Sequence, residues 1–144
     1  MTAFATSVRI ARPIEDVHAY LADPLNFPYW NSAVQAVRPV SGSDGDTGST
    51  YTMERALPGG NVRNGLQVFA CESPTEFGIR TISGPTPFSY CYRLSTQDAE
   101  TVVRLHATVA FDGAPSLMAP VLARMVRRGV DANLALLKHA LERS

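Results

Sequence analysis

Two tyrosines carry the clearest chemical potential in this sequence. Tyr90 and Tyr92 are two positions apart in a run of residues typical of a β-strand, so both hydroxyls point to the same side of a sheet. There they can orient a ligand carbonyl or phenol, or donate a proton. The alternative is that both rings belong to a hydrophobic core and that backbone groups bind their hydroxyls.

One arginine is expected on the same side of the sheet. Arg55 follows Tyr51 and Met53 at alternate positions of an earlier predicted strand. Because a guanidinium group offers several donors and a positive charge, Arg55 can hold a carboxylate or polarise a carbonyl. It can equally be a solvated residue at the rim of a pocket, and the sequence leaves both roles open.

Other catalytic and metal-binding patterns are missing. The histidines His18, His106 and His139 have neither HxH nor HExxH spacing. No serine occupies a G-x-S-x-G turn, the glycines occur in turns rather than in a phosphate-binding loop, and Glu54 and Glu72 are not convincingly paired. The sequence therefore assigns no catalytic residue and predicts neither a metal nor a cofactor.

The composition of the 144 residues indicates an ordered domain. Hydrophobic residues make up 45% of the chain, a share too high for a disordered segment. The 13 basic residues balance the 13 acidic ones, so nothing predicts a nucleic-acid partner. At this length we expect a single domain over residues 1–144.

The sequence also indicates where the protein is located and whether its two cysteines form a disulfide. The N-terminal residues do not resemble a secretory signal, and the longest apolar run is far shorter than the ~20 residues of a membrane span. We therefore expect a cytoplasmic protein without integral membrane association. Cys71 and Cys91 fall on predicted strands ~9–10 Å apart, beyond disulfide reach, so both are expected to be free.

The elements that must position these residues are a strand, two short helices, six further strands and a long helix. Pro13 can begin the first helix, and Asp23 can cap the second, with Pro24 at its first position and Pro28 as its limit. The long helix is predicted over residues 115–142, with Pro120 as a kink or as its true start. Short connections favour antiparallel pairing of the strands predicted at residues 3–10, 34–40, 49–57, 62–72, 76–83, 88–95 and 101–111.

Alternation along the strands assigns one set of mostly apolar side chains to the face that meets the long helix. In residues 62–72, Val68 and Cys71 share that face only if a β-bulge intervenes. A large aromatic set with few polar groups is typical of a small-molecule site, and a solidly packed core is the alternative. The inward set includes Tyr51, Met53, Arg55, Phe77, Ile79, Phe88, Tyr90, Tyr92 and Leu105.

The long helix is expected to turn one apolar stripe towards the sheet. Its members are Leu122, Met125, Gly129, Ala132 or Asn133, Leu136 and Ala140, widened by Leu134, Leu137 and Leu141. A mid-helix glycine costs ~1 kcal/mol relative to alanine, so Gly129 either leaves room for a cavity or permits a close helix–sheet contact. Arg124, Arg127 and Arg128 form a solvated cluster or a contact for anionic lipid or a partner.

This order of elements and motifs resembles the START/Bet v 1-like (SRPBCC) superfamily, and more narrowly its bacterial polyketide cyclase/dehydrase-like branch. The resemblance implies an α+β helix-grip fold, in which a seven-stranded curved antiparallel sheet wraps round the C-terminal helix and encloses an apolar cavity. Two short helices lie between strands 1 and 2. The motifs are Pro13-x-Glu15-x-Val17, Asp23, Asn26-x-Pro28-x-Trp30 with Val34, Gly48-x-x-Tyr51, Gly84-Pro85, Tyr92-x-Leu94 and Asn133-Leu134.

The superfamily binds sterols, plant hormones, lipids, quinones and polyketides on one scaffold, so it restricts function weakly. We expect binding of a small hydrophobic or aromatic molecule, such as a lipid or polyketide. A polyketide aromatase/cyclase or dehydratase is the alternative, and a quinone or lipid chaperone at a membrane surface is a weaker one. A homodimer remains open.

Trp30 either closes one end of the expected cavity or holds the second helix on the sheet. The expected ligand-binding residues are Trp30, Tyr51, Met53, Arg55, Phe77, Ile79, Phe88, Tyr90, Tyr92, Leu105, Met125 and Gly129.

Overall fold

The computed structural model describes residues 2–43, 45–57, 59–110 and 116–143. The helices are α1 (Ile14–Leu21), α2 (Phe27–Trp30) and α3 (Ala119–Glu142), and 3₁₀ turns at Pro24–Asn26 and Ser116–Met118 precede α2 and α3. The strands are β1 (Thr2–Ile10), β2 (Val34–Ser41), β3 (Thr50–Leu57), β4 (Gly60–Glu72), β5 (Glu76–Ser83), β6 (Phe88–Gln97) and β7 (Glu100–Val109).

The strands form one curved sheet in the order β1-β7-β6-β5-β4-β3-β2, and every neighbouring pair is antiparallel. Strands β2 to β7 are neighbours in sequence order because short turns join them. Helix α3 packs against β1 and α2. The predicted helix-grip fold is confirmed.

The two faces of the sheet follow the predicted alternation. Along β7, Val103 and Leu105 are buried, while Arg104 and His106 are exposed. The β-bulge that strand β4 requires lies between Val68 and Ala70, where the register with β5 shifts. The apolar face is therefore continuous across the sheet and forms the core under the helices.

The short helices differ in one respect from the expectation. Asp23 caps the turn as predicted, since its carboxylate accepts a hydrogen bond from the Leu25 amide at 3.0 Å. Pro28 does not end the second helix but lies in the first turn of α2, where its missing N–H costs nothing. His18 is buried, and its Nε2 donates to the carbonyl oxygen of Glu76 at 2.9 Å.

The orientation of α3 overturns part of the expected stripe. Its buried side chains are those of Val130, Leu134, Leu137 and Leu141. Met125 and Leu136, which were expected to face the sheet, are 64% and 42% exposed. Apolar residues occupy two adjacent stripes of this helix, and helical periodicity alone does not decide which of them faces the core.

The sequence allows Pro120 either to kink the long helix or to mark its true start, and the structure shows the second. The helix begins at Ala119 with Pro120 in its first turn, a position where proline is tolerated. Phe111 and Pro115, which were placed in the last strand and the long helix, lie outside the described residues. None of the helices in the described ranges combines the length and the hydrophobicity of a membrane span. Cys71 and Cys91 are free, as expected.

Candidate functional site

A cavity of about 160 Å³ lies between the sheet, α2 and α3. Trp30 on α2, Gly129 on α3 and alternate residues of β3, β5 and β6 form its wall, so the strand alternation that positions the core also positions the site. The predicted site residues that line it are Trp30, Met53, Arg55, Ile79, Phe88, Tyr90, Tyr92 and Gly129.

Gly129 contributes open space. A Cβ atom built on this residue would meet no neighbouring atom within 4 Å. The alternative explanation of this glycine, that it permits a close helix–sheet contact, is therefore wrong.

Four predicted site residues do not line the cavity. Phe77 and Leu105 are buried in the core beneath it, and the exposed Met125 points away because α3 is rotated relative to the expectation. Tyr51 is also buried, and its hydroxyl accepts a hydrogen bond from the Gly45 amide at 2.7 Å.

Other residues complete the wall and were not predicted from the sequence. Asn133 and Val126 lie one helical turn on either side of Gly129, so the correct rotation of α3 would have identified them. Strand β4 contributes Asn64, a fully buried polar residue behind the cavity wall. The signal for Asn64 was its place in an otherwise apolar series of alternate positions. The unpredicted lining residues are Phe27, Asn31, Ala33, Val126, Val130 and Asn133.

Asn64 holds the guanidinium group of Arg55. Nε and Nη2 of Arg55 donate to Asn64 Oδ1 at 3.0 and 2.8 Å. Nη2 also donates to the hydroxyl of Thr86 at 2.6 Å and to the carbonyl oxygen of Pro85 at 3.2 Å. The arginine is therefore anchored along one edge to the turn between β5 and β6.

The charge of Arg55 is not neutralised by the described part of the chain. No carboxylate in those ranges forms an ion pair with it, and its Nη1 group has no acceptor there. Its Cζ atom lies 5.7 Å from the centroid of the Phe88 ring, a cation–π geometry. Burial lowers the pKa of Arg55, and the Tyr90 phenolate would oppose that shift. The arrangement can hold an anionic or carbonyl oxygen.

Three further polar groups on the wall lack partners. The indole Nε1 of Trp30 is buried without a hydrogen bond in the described structure. No hydrogen bond from the hydroxyl of Tyr90 or Tyr92 to the described residues is found either, which favours the ligand-facing role over backbone binding. Their rings meet edge to face at 6.4 Å, and Trp30 meets Tyr92 in the same way at 6.3 Å. The cavity, hereafter the chamber, therefore has aromatic walls and hydrogen-bond donors that lack partners.

The sequence of the chain matches the profile of a protein family over residues 1–142. That family is described as "Polyketide cyclase / dehydrase and lipid transport". The chain belongs to this family. No curated protein sequence is significantly similar to it.

Solved structures agree with the fold of this polyketide cyclase/dehydrase-like protein. A START superfamily protein from Mycobacterium smegmatis has a TM-score of 0.83 at 12% identity, over 98% of this chain and 97% of that one. The Zhui aromatase/cyclase from Streptomyces sp. R1128 has a TM-score of 0.78 at 18% identity, over 99% and 94%. Ara h 8.0201 has a TM-score of 0.77 at 14% identity, over 99% of each chain. At these identities the likeness shows the shared fold alone.

The chamber of this family member should resist ionisation of its phenols. Burial raises the pKa of Tyr90 from the ordinary 10.0 to about 12, although nearby Arg55 favours the phenolate, and burial also raises the pKa of Tyr92. Because the unfolded chain releases these protons first, the stabilising contribution of Tyr90 is complete below pH 10 and is lost as the pH rises through about 12.

Ultraviolet titration of phenolate absorbance tests this expectation. The wild-type curve and the Tyr90→Phe curve should coincide up to a pH of about 11 and diverge above it. If the two curves instead diverged around pH 10.0, the ordinary pKa of a tyrosine, Tyr90 would be solvated.

Proposed function

We propose that this protein binds a small hydrophobic or aromatic molecule that carries a hydrogen-bond acceptor. The observation that supports it best is a chamber with aromatic walls in which Arg55 and the two tyrosine hydroxyls have donors without partners. Burial of apolar ligand surface would supply about 25 cal/mol per Å² before ordering costs.

The size of the chamber favours one ring. Apolar cavities of roughly 150 Å³ accommodate a benzene-sized molecule, and this one measures about 160 Å³. Larger lipids or polyketides would need the exposed side of the wall, where Gly129 lies, to open further. Single-ring compounds are therefore the appropriate first probes.

The polar groups of the chamber select the ligand's chemistry. Arg55 can only donate, and a phenol with a raised pKa donates as well. A carboxylate or carbonyl oxygen on the ligand would satisfy these donors, whereas a purely apolar ring would leave them unpaired. We therefore expect benzoate and acetophenone to bind more tightly than toluene.

Trp30 provides the readout for a binding experiment. It is the sole tryptophan of the chain and lines the cavity, so its fluorescence reports occupancy directly. We expect Arg55→Met to weaken benzoate binding about tenfold or more, because a charge-assisted hydrogen bond contributes roughly 1.5–3 kcal/mol. Tyr90→Phe should weaken it by less, about two- to tenfold, since a neutral hydrogen bond contributes about 1 kcal/mol.

Arg80→Met is the matched control. Arg80 lies 5.8 Å over the ring of Phe69 and donates to Gln67 at 2.8 Å, so it repeats the surroundings of Arg55 on the outer side of the sheet. Its removal should leave benzoate affinity unchanged. Equal losses in both arginine variants, or no response of Trp30 to any of the three probes, would contradict the proposal.

An aromatase/cyclase or dehydratase is the second candidate, favoured by the family and by the proximity of Arg55 to Tyr90. Arg55 would stabilise the oxygen of an enolate, and Tyr90 would protonate a departing hydroxyl. A general acid works best with a pKa near the working pH, and that of Tyr90 is raised to about 12. The described lining also contains no carboxylate, histidine or lysine that could act as a base. Binding therefore ranks first.

Turnover separates the two candidates. If the protein accelerates cyclisation or dehydration of a ketide, Tyr90→Phe should lower the rate more than tenfold, because a general acid contributes about 10²–10⁴-fold, while ligand affinity changes less. A binding protein would show only the change in affinity.

A further inference from the structure

We propose that the outer face of the first half of α3, with the turn before it, docks on an anionic lipid bilayer. The docking face is defined by Leu117, Met118, Val121 and Met125 together with Arg124, Arg127 and Arg128. This inference goes beyond the cavity and does not depend on what the cavity binds.

The apolar residues of the docking face are unusually exposed. Leu117 is 90% exposed, Met125 64%, Val121 46% and Met118 44%. Val121 and Met125 are four residues apart, so they lie on one side of the helix, opposite the buried Val130. A helix that is apolar on its outer side as well as on its core side has a second surface to cover.

The charges among these residues all have one sign. Arg124 and Arg128 lie beside Val121 and Met125 on the same side, and Arg127 lies further round the helix, towards β1. Residues 116–130 include no acidic side chain, and within the described ranges no carboxylate pairs with any of the three arginines. The chain as a whole is neutral, so this is a local concentration of positive charge.

An anionic bilayer complements both properties. Lipid phosphates would accept hydrogen bonds from the guanidinium groups, while the exposed leucine, valine and methionine side chains would enter the headgroup region. A second copy of the chain fits less well, because a two-fold contact through this face would bring two sets of three arginines together without a counter-charge. A nucleic acid would leave the apolar side chains unused.

Vesicle flotation tests the proposal with the full chain. The protein should float with vesicles of phosphatidylcholine and phosphatidylglycerol, remain unbound with phosphatidylcholine alone, and dissociate as salt is added. Replacing Arg124, Arg127 and Arg128 together by glutamine should lower partitioning about tenfold or more, since each basic side chain adds to attraction at an anionic surface. Val121→Gln with Met125→Gln should lower it too.

The control carries the same change of charge elsewhere. Arg38, Arg80 and Arg104 are exposed on the sheet, and their joint replacement by glutamine should leave partitioning nearly unchanged. The proposal is overturned if both triple variants lose binding equally, if phosphatidylcholine vesicles bind as well as the anionic ones, or if no vesicle binds. It is also overturned if the α3 variants abolish a dimer or DNA binding while vesicle binding persists.

Discussion

Replacing Asn64 by leucine is expected to lower the free energy of unfolding by about 2–4 kcal/mol. Asn64 is fully buried, and its amide nitrogen donates to the carbonyl oxygens of Ser83 and Pro85 at 3.1 and 2.9 Å. Its carbonyl oxygen accepts both bonds from Arg55. Leucine has a similar size but would leave two carbonyls and a guanidinium group without these partners.

Urea denaturation with two further variants tests the cause of that loss. Gln67→Leu, on the same strand, removes the acceptor of the exposed Arg80 and should change stability by less than about 0.5 kcal/mol. Adding Arg55→Met to Asn64→Leu should recover part of the loss, because no charged group is then left unpaired. A double variant as unstable as the sum of the two single variants would show that Asn64 and Arg55 do not act together.

The turn before β6 is shaped to keep this pair in place. Gly84 has a φ of +95°, and a Cβ atom there would lie 2.4 Å from the carbonyl oxygen of Arg63 and 2.7 Å from Nδ2 of Asn64. Only glycine combines that backbone conformation with so close an approach. The Gly84-Pro85 pair thus has a physical role, which is to bring the Pro85 carbonyl to Asn64 and Arg55.

The fold was predictable because its signals are local. Alternation along β7 separates Val103 and Leu105 from Arg104 and His106, and polar or proline-containing turns end each strand. For strand β4 the sequence left the assignment open, since Val68 and Cys71 share a face only with a bulge, and the structure shows that bulge between Val68 and Ala70. Residues on one strand, such as Tyr90 and Tyr92, could therefore be assigned together to the site.

The rest of the site depends on contacts between elements. The rotation of α3 is set by packing against β1 and α2, and its sequence offers two apolar stripes. Met125 was assigned to the cavity for that reason, and Asn133 was not given preference over Ala132. Asn64 was missed, although its place in an otherwise apolar series was the sequence signal for its burial, because its pairing with Arg55 is seen only in the structure.

Adjacent leucines of α3 allow a direct test of that rotation. Leu137 is fully buried and Leu136 is 42% exposed. Leu137→Ala should therefore lower the free energy of unfolding by about 2–5 kcal/mol, through lost burial and the space left in the core. Leu136→Ala, which makes the same chemical change one residue away, should alter it by less than about 0.5 kcal/mol.

Thermal or urea unfolding of the two variants measures this difference, and circular dichroism establishes that both remain helical. Alanine has the higher helix propensity, so a loss at Leu137 would come from packing rather than from the helix itself. Equal losses at the two positions, or a larger loss at Leu136, would mean that the stripe through Met125 and Leu136 faces the sheet. In that case the docking face on α3 would be buried and its arginines would lie on another side of the helix, so this pair of variants also tests the geometry on which membrane docking depends.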